Sequence, residues 1–283
     1  MGLFPSPPLN PSPNFKMVLL LSLITLLNLC VSFVSAKSVF AHIVVGNTAA
    51  HTDATWTQDI TLAKNAGIDA FVLNIAYPDS NIPIQVAKAF AAAEAAGSSF
   101  KLLFAFDYLG GGQPWPSTGS NSVASYLNQY KNSPAYFLVD GAPFVSTFEG
   151  VTHIDQWAPG GAIRGAVGNI FFVPDWTSLG PNNIGASLNN IEGFFSWDMW
   201  PNGANNMTLN PDRAWKSAIG NKAYMMGVSP WFFHSPPAAW VWRGDDLWAD
   251  RWAQAIEFSP EYVQYDISFP SLNSTLLTLS VES

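Results

Sequence analysis

Short continuous apolar runs alternate along this chain with stretches whose apolar positions recur at helical spacing. Residues 38–45 form the first run and close at Gly46-Asn47. Thr55-Trp56-Thr57-Gln58 then has the form of a capping box, and Trp56, Ile60, Ala63 and Ala66 repeat at helical spacing until Gly67. A second strand is predicted over residues 69–76, with Asn74 near its end, followed by an Ala-rich helix over 83–96 that stops at Gly97. Residues 101–106 read as strand three, 110–116 as a glycine-rich loop, 123–131 as a helix and 143–148 as strand four. The series continues through 154–158, 170–174, 193–197, 212–219 and 224–228. A loop over 229–234 leads to a helix capped by Asp245, in which Trp248, Trp252, Ala255 and Ile256 share a face.

Strands alternating with helices predict a parallel sheet. Seven clear strand-helix units favour an α/β fold of the (β/α)8 TIM-barrel type, incomplete in its eighth unit, over an open doubly wound sheet. Val263, Tyr265, Ile267 and Phe269 alternate with polar residues, so a half-buried strand is possible there. Asp266 and Pro270 argue against a strand buried on both faces, and without one, strands one and seven keep open edges. The expected organisation is an N-terminal extension and leader over 1–36, a barrel domain over 37–264 and an atypical tail over 265–283.

The 283 residues suit one barrel domain with a leader. With 11% charged residues, a net charge of −8 and no strong Lys/Arg cluster, the chain has no basic face for nucleic acid or an anionic membrane. Residues 18–34 are apolar, follow Lys16 and end in Val34-Ser35-Ala36, which reads as a secretory signal cleaved after Ala36. Met17 is a candidate start, and a retained membrane anchor is the competing reading of the same segment. The single cysteine, Cys30, lies inside that leader, so the mature chain would carry no thiol and no disulfide. Two sequons, Asn206-Met207-Thr208 and Asn273-Ser274-Thr275, agree with an extracellular or cell-wall location.

Candidate chemistry lies at the strand ends, which form the active face of such a barrel. The runs 102–106, 144–148 and 170–174 end in Asp107, Glu149 and Asp175, the last followed by Trp176, and Phe194-Phe195-Ser196-Trp197 ends in Asp198 with Trp200 close behind. Acids and tryptophans together suit a sugar, because hydrolysis of a glycosidic bond uses two carboxyl groups and aromatic faces stack on sugar rings. Each acid taken alone has an equal structural reading as a helix cap or loop tether. His42, His51, His153 and His234 are too scattered for a metal motif, although His42 and His234 can line the site. Neither a metal nor a cofactor is expected. There is no G-x-S-x-G elbow, and Gly161 to Gly168 lacks phosphate-loop spacing, so it reads as an ordinary connection. Arg243-Gly244-Asp245-Asp246 opens the last helix, where an exposed arginine can meet a carboxylate or a sugar hydroxyl.

The runs Val39-Phe40-Ala41-His42, Ala66-Gly67-Ile68-Asp69-Ala70-Phe71-Val72-Leu73-Asn74, Phe144 to Gly150, Phe172-Val173-Pro174-Asp175-Trp176 and Asp245 to Trp252 together resemble the fungal α-1,3-glucanases, or mutanases, of glycoside hydrolase family 71. The resemblance implies a secreted (β/α)8 enzyme that cleaves α-1,3-glucan of fungal walls by an endo-acting, inverting mechanism, without a cofactor; a monomer is expected separately, since the sequence carries no signal of oligomeric state. It implies substrate-binding roles for His42, Asn74, Asp107, Glu149, Asp175, Trp176, Asp198, Trp200 and Asp246. Members of that family carry a W-N-D-x-G-E-S type segment at strand eight, whose Asp and Glu are the expected catalytic pair, and usually a further C-terminal domain. Here the chain runs on as Tyr265-Asp266-Ile267-Ser268-Phe269-Pro270, which reads like a translated intron or a shifted exon boundary, so no residue is assigned as catalytic. The alternatives are a non-catalytic α-glucan-binding protein, with a cleft around Trp176, Trp197 and Trp200, and a chain that does not fold stably.

Overall fold

The computed structural model describes residues 38–97, 99–203, 205–230, 233–234, 240–241 and 246–266. The leader, Cys30, Arg243, Asp245 and Asn273 lie outside the described residues. Among those described, parallel strands run β1 (Ser38–Val44), β2 (Ala70–Ala76), β3 (Lys101–Asp107), β4 (Ala142–Phe148), β5 (Phe171–Phe172), β6 (Gly193–Ser196), β7 (Ala223–Val228) and β8 (Tyr262–Asp266). The main helices are α1 (Asp53–Asn65), α2 (Ile82–Ala95), α3 (Val123–Tyr130), α4 (Ala162–Val167), α5 (Asn210–Ile219) and α6 (Leu247–Phe258). The strands pair in the order β5-β4-β3-β2-β1-β8-β7-β6. Between β5 and β6 the ladder thins to one isolated bridge, Asp175 with Phe195, and Asp175 also bridges Phe148 at the end of β4. Two backbone bonds, Glu192 N to Phe172 O and Phe195 N to Pro174 O, each 2.9 Å, join the same edges.

Several expectations need correction. Tyr262–Asp266 is a strand, paired with β1 and β7, so neither of those strands has an open edge there. Asp266 did not forbid it, because the residue ends the strand and is only half-buried. Among the described residues β8 is the last element. The capping box of α1 sits one turn earlier than expected: Thr52 Oγ1 accepts from Thr55 N at 3.2 Å, and Thr52 N donates to Thr55 Oγ1. The connection after Gly161 contains α4, and a short hairpin strand, Leu138–Val139, precedes β4. The last helix begins at Leu247, with Asp246 as its N-cap residue.

The lower interior is filled by rings. Phe40 lies 5.5 Å from Phe144 and 5.6 Å from Tyr262, Phe144 lies 5.1 Å from Tyr262, and Phe171 lies 5.5 Å from Phe144. Such a plug makes the barrel a packed core and leaves only its upper rim for polar chemistry. Outside the sheet, Phe104 meets Phe90, Tyr126 and Tyr130, while Trp157 stacks on Phe172 at 4.1 Å.

One buried ion pair links the outer helices to that rim. Arg251 of α6 and Asp212 of α5 meet at 3.1 Å with side-chain exposures of 0% and 1%. Arg251 Nη2 also donates to Gly227 O at 2.9 Å and Asp198 O at 3.2 Å, and Tyr224 OH donates to Asp212 at 3.0 Å. Removing Asp212 would strand the guanidinium in a dry site, a loss of about 3–5 kcal/mol. Asp212→Ala is therefore expected to lower the urea-unfolding free energy by that amount, and a loss below about 1 kcal/mol, typical of an exposed pair, would contradict the burial.

Candidate functional site

Strand direction gathers the polar residues at one end. His42 lies near the end of β1, Asn74 near the end of β2 and Asp107 at the end of β3, while Glu149, Asp175 and Asp198 follow β4, β5 and β6. Local chemistry holds each acid. Asp107 Oδ1 accepts from Leu109 N at 2.8 Å and Gly110 N at 2.7 Å, so this carboxylate folds its own loop. Glu149, in the left-handed region at φ 53°, accepts from the backbone N of Ser178 at 3.2 Å and from its hydroxyl. Asp198 Oδ2 accepts from Ser196 Oγ at 2.7 Å and Trp215 Nε1 at 3.2 Å.

Asp175 differs from these. It is 0% exposed, its Oδ1 accepts from Thr177 N at 3.0 Å and Thr177 Oγ1 at 2.6 Å, and its buried Oδ2 has no protein partner. Burial pushes its carboxyl up to about 8; the Thr177 bonds oppose the rise, and the charges of Glu149 and Asp198 add to it. At neutral pH and below, Asp175 thus keeps its proton between two partly exposed carboxylates.

A histidine and an aromatic wall complete the rim. Gln264 Nε2 donates to His42 Nδ1 at 3.0 Å, which leaves the proton of the neutral ring on Nε2. Burial pulls the His42 pKa down, against the opposing pull of Asp266 and Asp107. Trp197 presents its ring to His42 at 5.2 Å, Phe148 at 4.9 Å and Trp200 at 6.1 Å. Trp197 and Trp200 are half-buried.

The candidates named from the sequence do not all share this setting. Trp176 is 0% exposed and packs edge-on against Phe172, so its ring belongs to the core and offers no face for a sugar. Asp246 is exposed at the start of α6, and Asn74 is buried with its Oδ1 unpartnered by protein. Phe233–His234 pairs with Trp240–Val241, but the His234 side chain lies outside the described residues. Sequence reading missed Gln264, which only the placement of β8 reveals, and Thr177 and Ser178, whose D-x-T-S pattern after a strand was the available signal. No three His, Cys, Asp or Glu side chains gather as metal ligands among the described residues. A cavity of about 620 Å³ opens at the opposite end, near Lys101, Lys131, Tyr136 and Leu138. Its two ammonium groups are tied to Pro134 O and Val167 O at 2.6 Å each, as helix-end tethers.

The raised Asp175 pKa sets a sign for stability. The unfolded chain releases this proton near 3.8 and the native state near 8. The contribution to stability is full below the lower value and declines by about 1.4 kcal/mol per pH unit up to the higher one. Asp175→Asn mimics the neutral acid, so its urea midpoint relative to wild type should rise between about pH 5 and pH 8; a constant difference would exclude a protonated Asp175.

Comparison with known proteins agrees with this geometry. The family model described as glycosyl hydrolase family 71 matches residues 35–267. A glucan endo-1,3-alpha-glucosidase of Schizosaccharomyces pombe is 31% identical over 261 residues, covering 88% of this chain and 60% of the relative. A mutanase of Penicillium rubens is 32% identical over 235 residues, covering 81% of this chain and 50% of the relative. The chain thus spans 50% to 60% of the length of these two curated relatives. Among solved structures, the GH99 endo-alpha-mannosidase from Bacteroides thetaiotaomicron gives a TM-score of 0.57 at 16% identity, over 81% of this chain and 68% of that one. A GH5 cellulase from an Icelandic hot spring isolate gives 0.52 at 13% identity, over 82% and 74%. Those two likenesses concern the barrel alone. The match over residues 35–267, on a barrel whose strand ends carry the acids and aromatics described, makes this chain a member of glycosyl hydrolase family 71.

Proposed function

We propose that this protein acts on α-1,3-glucan of the fungal cell wall, outside the cell or in the wall, as a glucan endo-1,3-α-glucosidase. The observation that carries this reading is the convergence of Glu149, Asp175 and Asp198 beside the Trp197 and Trp200 rings at the C-terminal ends of β4 to β6. Partly exposed carboxylates accept sugar hydroxyls, and the tryptophan faces take the apolar side of a glucose ring. Glu149 and Asp198 are held in place by Ser178, Ser196 and Trp215, so little ordering is left for the moment of binding. Relatives named as fungal α-1,3-glucanases support the substrate class. His42, Asn74 and Asp107 line the same rim, and Asp246 belongs to its outer edge. No helix among the described residues is long and apolar enough to cross a membrane, and a soluble, secreted monomer is the proposed working form.

A second reading, a protein that binds α-glucan without cleaving it, draws on one feature: the acids at the rim already accept bonds from the protein, and Asp175 is out of reach of a substrate. Incubation of the secreted chain with insoluble α-1,3-glucan separates the two. Hydrolysis releases reducing ends, and inversion at the anomeric carbon delivers them as the β-anomer; sedimentation with the polymer and no product favours the binder. Glu149→Gln and Asp198→Asn are each expected to lower turnover by about 10²- to 10⁴-fold if these groups assist proton transfer, and unchanged turnover would move the chemistry elsewhere. Trp200→Ala should weaken glucan binding by about 3- to 10-fold, the worth of one stacking contact, and unchanged binding would remove Trp200 from the cleft.

A further inference from the structure

The loop between β6 and α5 leaves the catalytic face just after Trp200 and carries Asn206-Met207-Thr208. Over Asn206, Met207, Thr208 and Leu209 the chain alternates exposed, half-buried, exposed and buried. Asn206 and Thr208 are thus both exposed, and Thr208 Oγ1 accepts from Asn210 N at 3.4 Å. The inward side is fixed: Gln254 Nε2 of α6 donates to Met207 O at 2.9 Å, and Leu209 is 6% exposed. Neither Met207 nor Leu209 is a proline, so no fixed φ interrupts the segment at the sequon.

We propose that Asn206, in the loop that follows Trp200, carries an N-linked glycan. The donor is a lipid-diphosphate-linked oligosaccharide. The Asn206 amide nitrogen forms a bond to the anomeric carbon of the first sugar, the bond from that carbon to the diphosphate oxygen breaks, the lipid diphosphate leaves with the bonding electrons, and the amide nitrogen gives up one proton. Thr208 supplies the hydroxyl that the acceptor triplet requires. Because Asn206 is exposed in the folded chain, the bulky sugar is accommodated without displacing core residues. The inference rests on export through the secretory route and is independent of hydrolytic activity.

The test is expression of the full chain, with its own leader and in parallel behind a yeast secretion leader, in a eukaryotic host. Secreted and microsomal fractions are both digested with peptide N-glycosidase in heavy-oxygen water and read by peptide mass spectrometry. The expected result is heavy-oxygen-labelled conversion of Asn206 to aspartate, retained in Thr208→Ser and abolished in Thr208→Ala. Unmodified Asn206 in chains that have entered microsomes behind the yeast leader would overturn the proposal. Modification behind the yeast leader but not behind the native one would leave the site standing and overturn export through residues 1–36. Reading each asparagine on its own peptide separates Asn206 from Asn273.

Discussion

The barrel closes between β5 and β6 through the backbone of Asp175, and the same residue carries a buried carboxyl group. Its main chain bridges Phe148 on one side and Phe195 on the other. Its side chain accepts from Thr177 Oγ1, and that hydroxyl accepts in turn from Trp197 N at 2.8 Å. The seam of the barrel and the aromatic wall of the site therefore share one short chain of hydrogen bonds. Burial keeps the Asp175 proton in place, so the seam closes without a third negative charge beside Glu149 and Asp198.

Below that seam the barrel is filled, and the filling decides where chemistry can occur. Phe40, Phe144, Phe171 and Tyr262 pack ring against ring in the lower interior, so polar chemistry falls to the upper rim. Two positions beyond Phe40 and Tyr262 stand the polar His42 and Gln264, and Asp175 and Asp198 follow the ends of β5 and β6. Arg251 and Asp212 extend the arrangement outward, because the guanidinium holds both the Asp198 carbonyl and the Gly227 carbonyl. A buried charge pair of this kind contributes definition of geometry more than net stability, and here the geometry it defines is that of the loop carrying Asp198.

Hydroxyls hold each of the three acids: Ser178 on Glu149, Ser196 on Asp198 and Thr177 on the buried Asp175. Such bonds offset the repulsion among neighbouring acids and fix each rotamer before a ligand arrives. The neutral His42 ring, oriented by Gln264, adds a single directed N–H donor to a surface otherwise dominated by acceptors.

Much of this was legible in the amino-acid order, because period-two and period-3.6 patterns follow from local backbone geometry and each apolar run reports a strand buried on both faces. The positions of Asp107, Glu149, Asp175 and Asp198 at strand ends are of this kind, as are the helices after β1, β2 and β3. Other features depend on contacts between residues far apart in the chain. A strand at Tyr262–Asp266 was only one possibility in the sequence, with Asp266 arguing against burial on both faces; in the fold Asp266 is half-buried at the strand's end and Gln264 meets the ring of His42, 222 residues away in sequence. Trp176 looked like a sugar platform beside an acid, and its fate in the core was decided by the direction its strand presents to the outer layer, against Phe172. The sequence by itself determined the alternation of strand and helix and the family; only the tertiary structure decided which acid is buried and which tryptophans stay half-buried at the rim, since burial and charge proximity are properties of the assembled barrel and of no local segment.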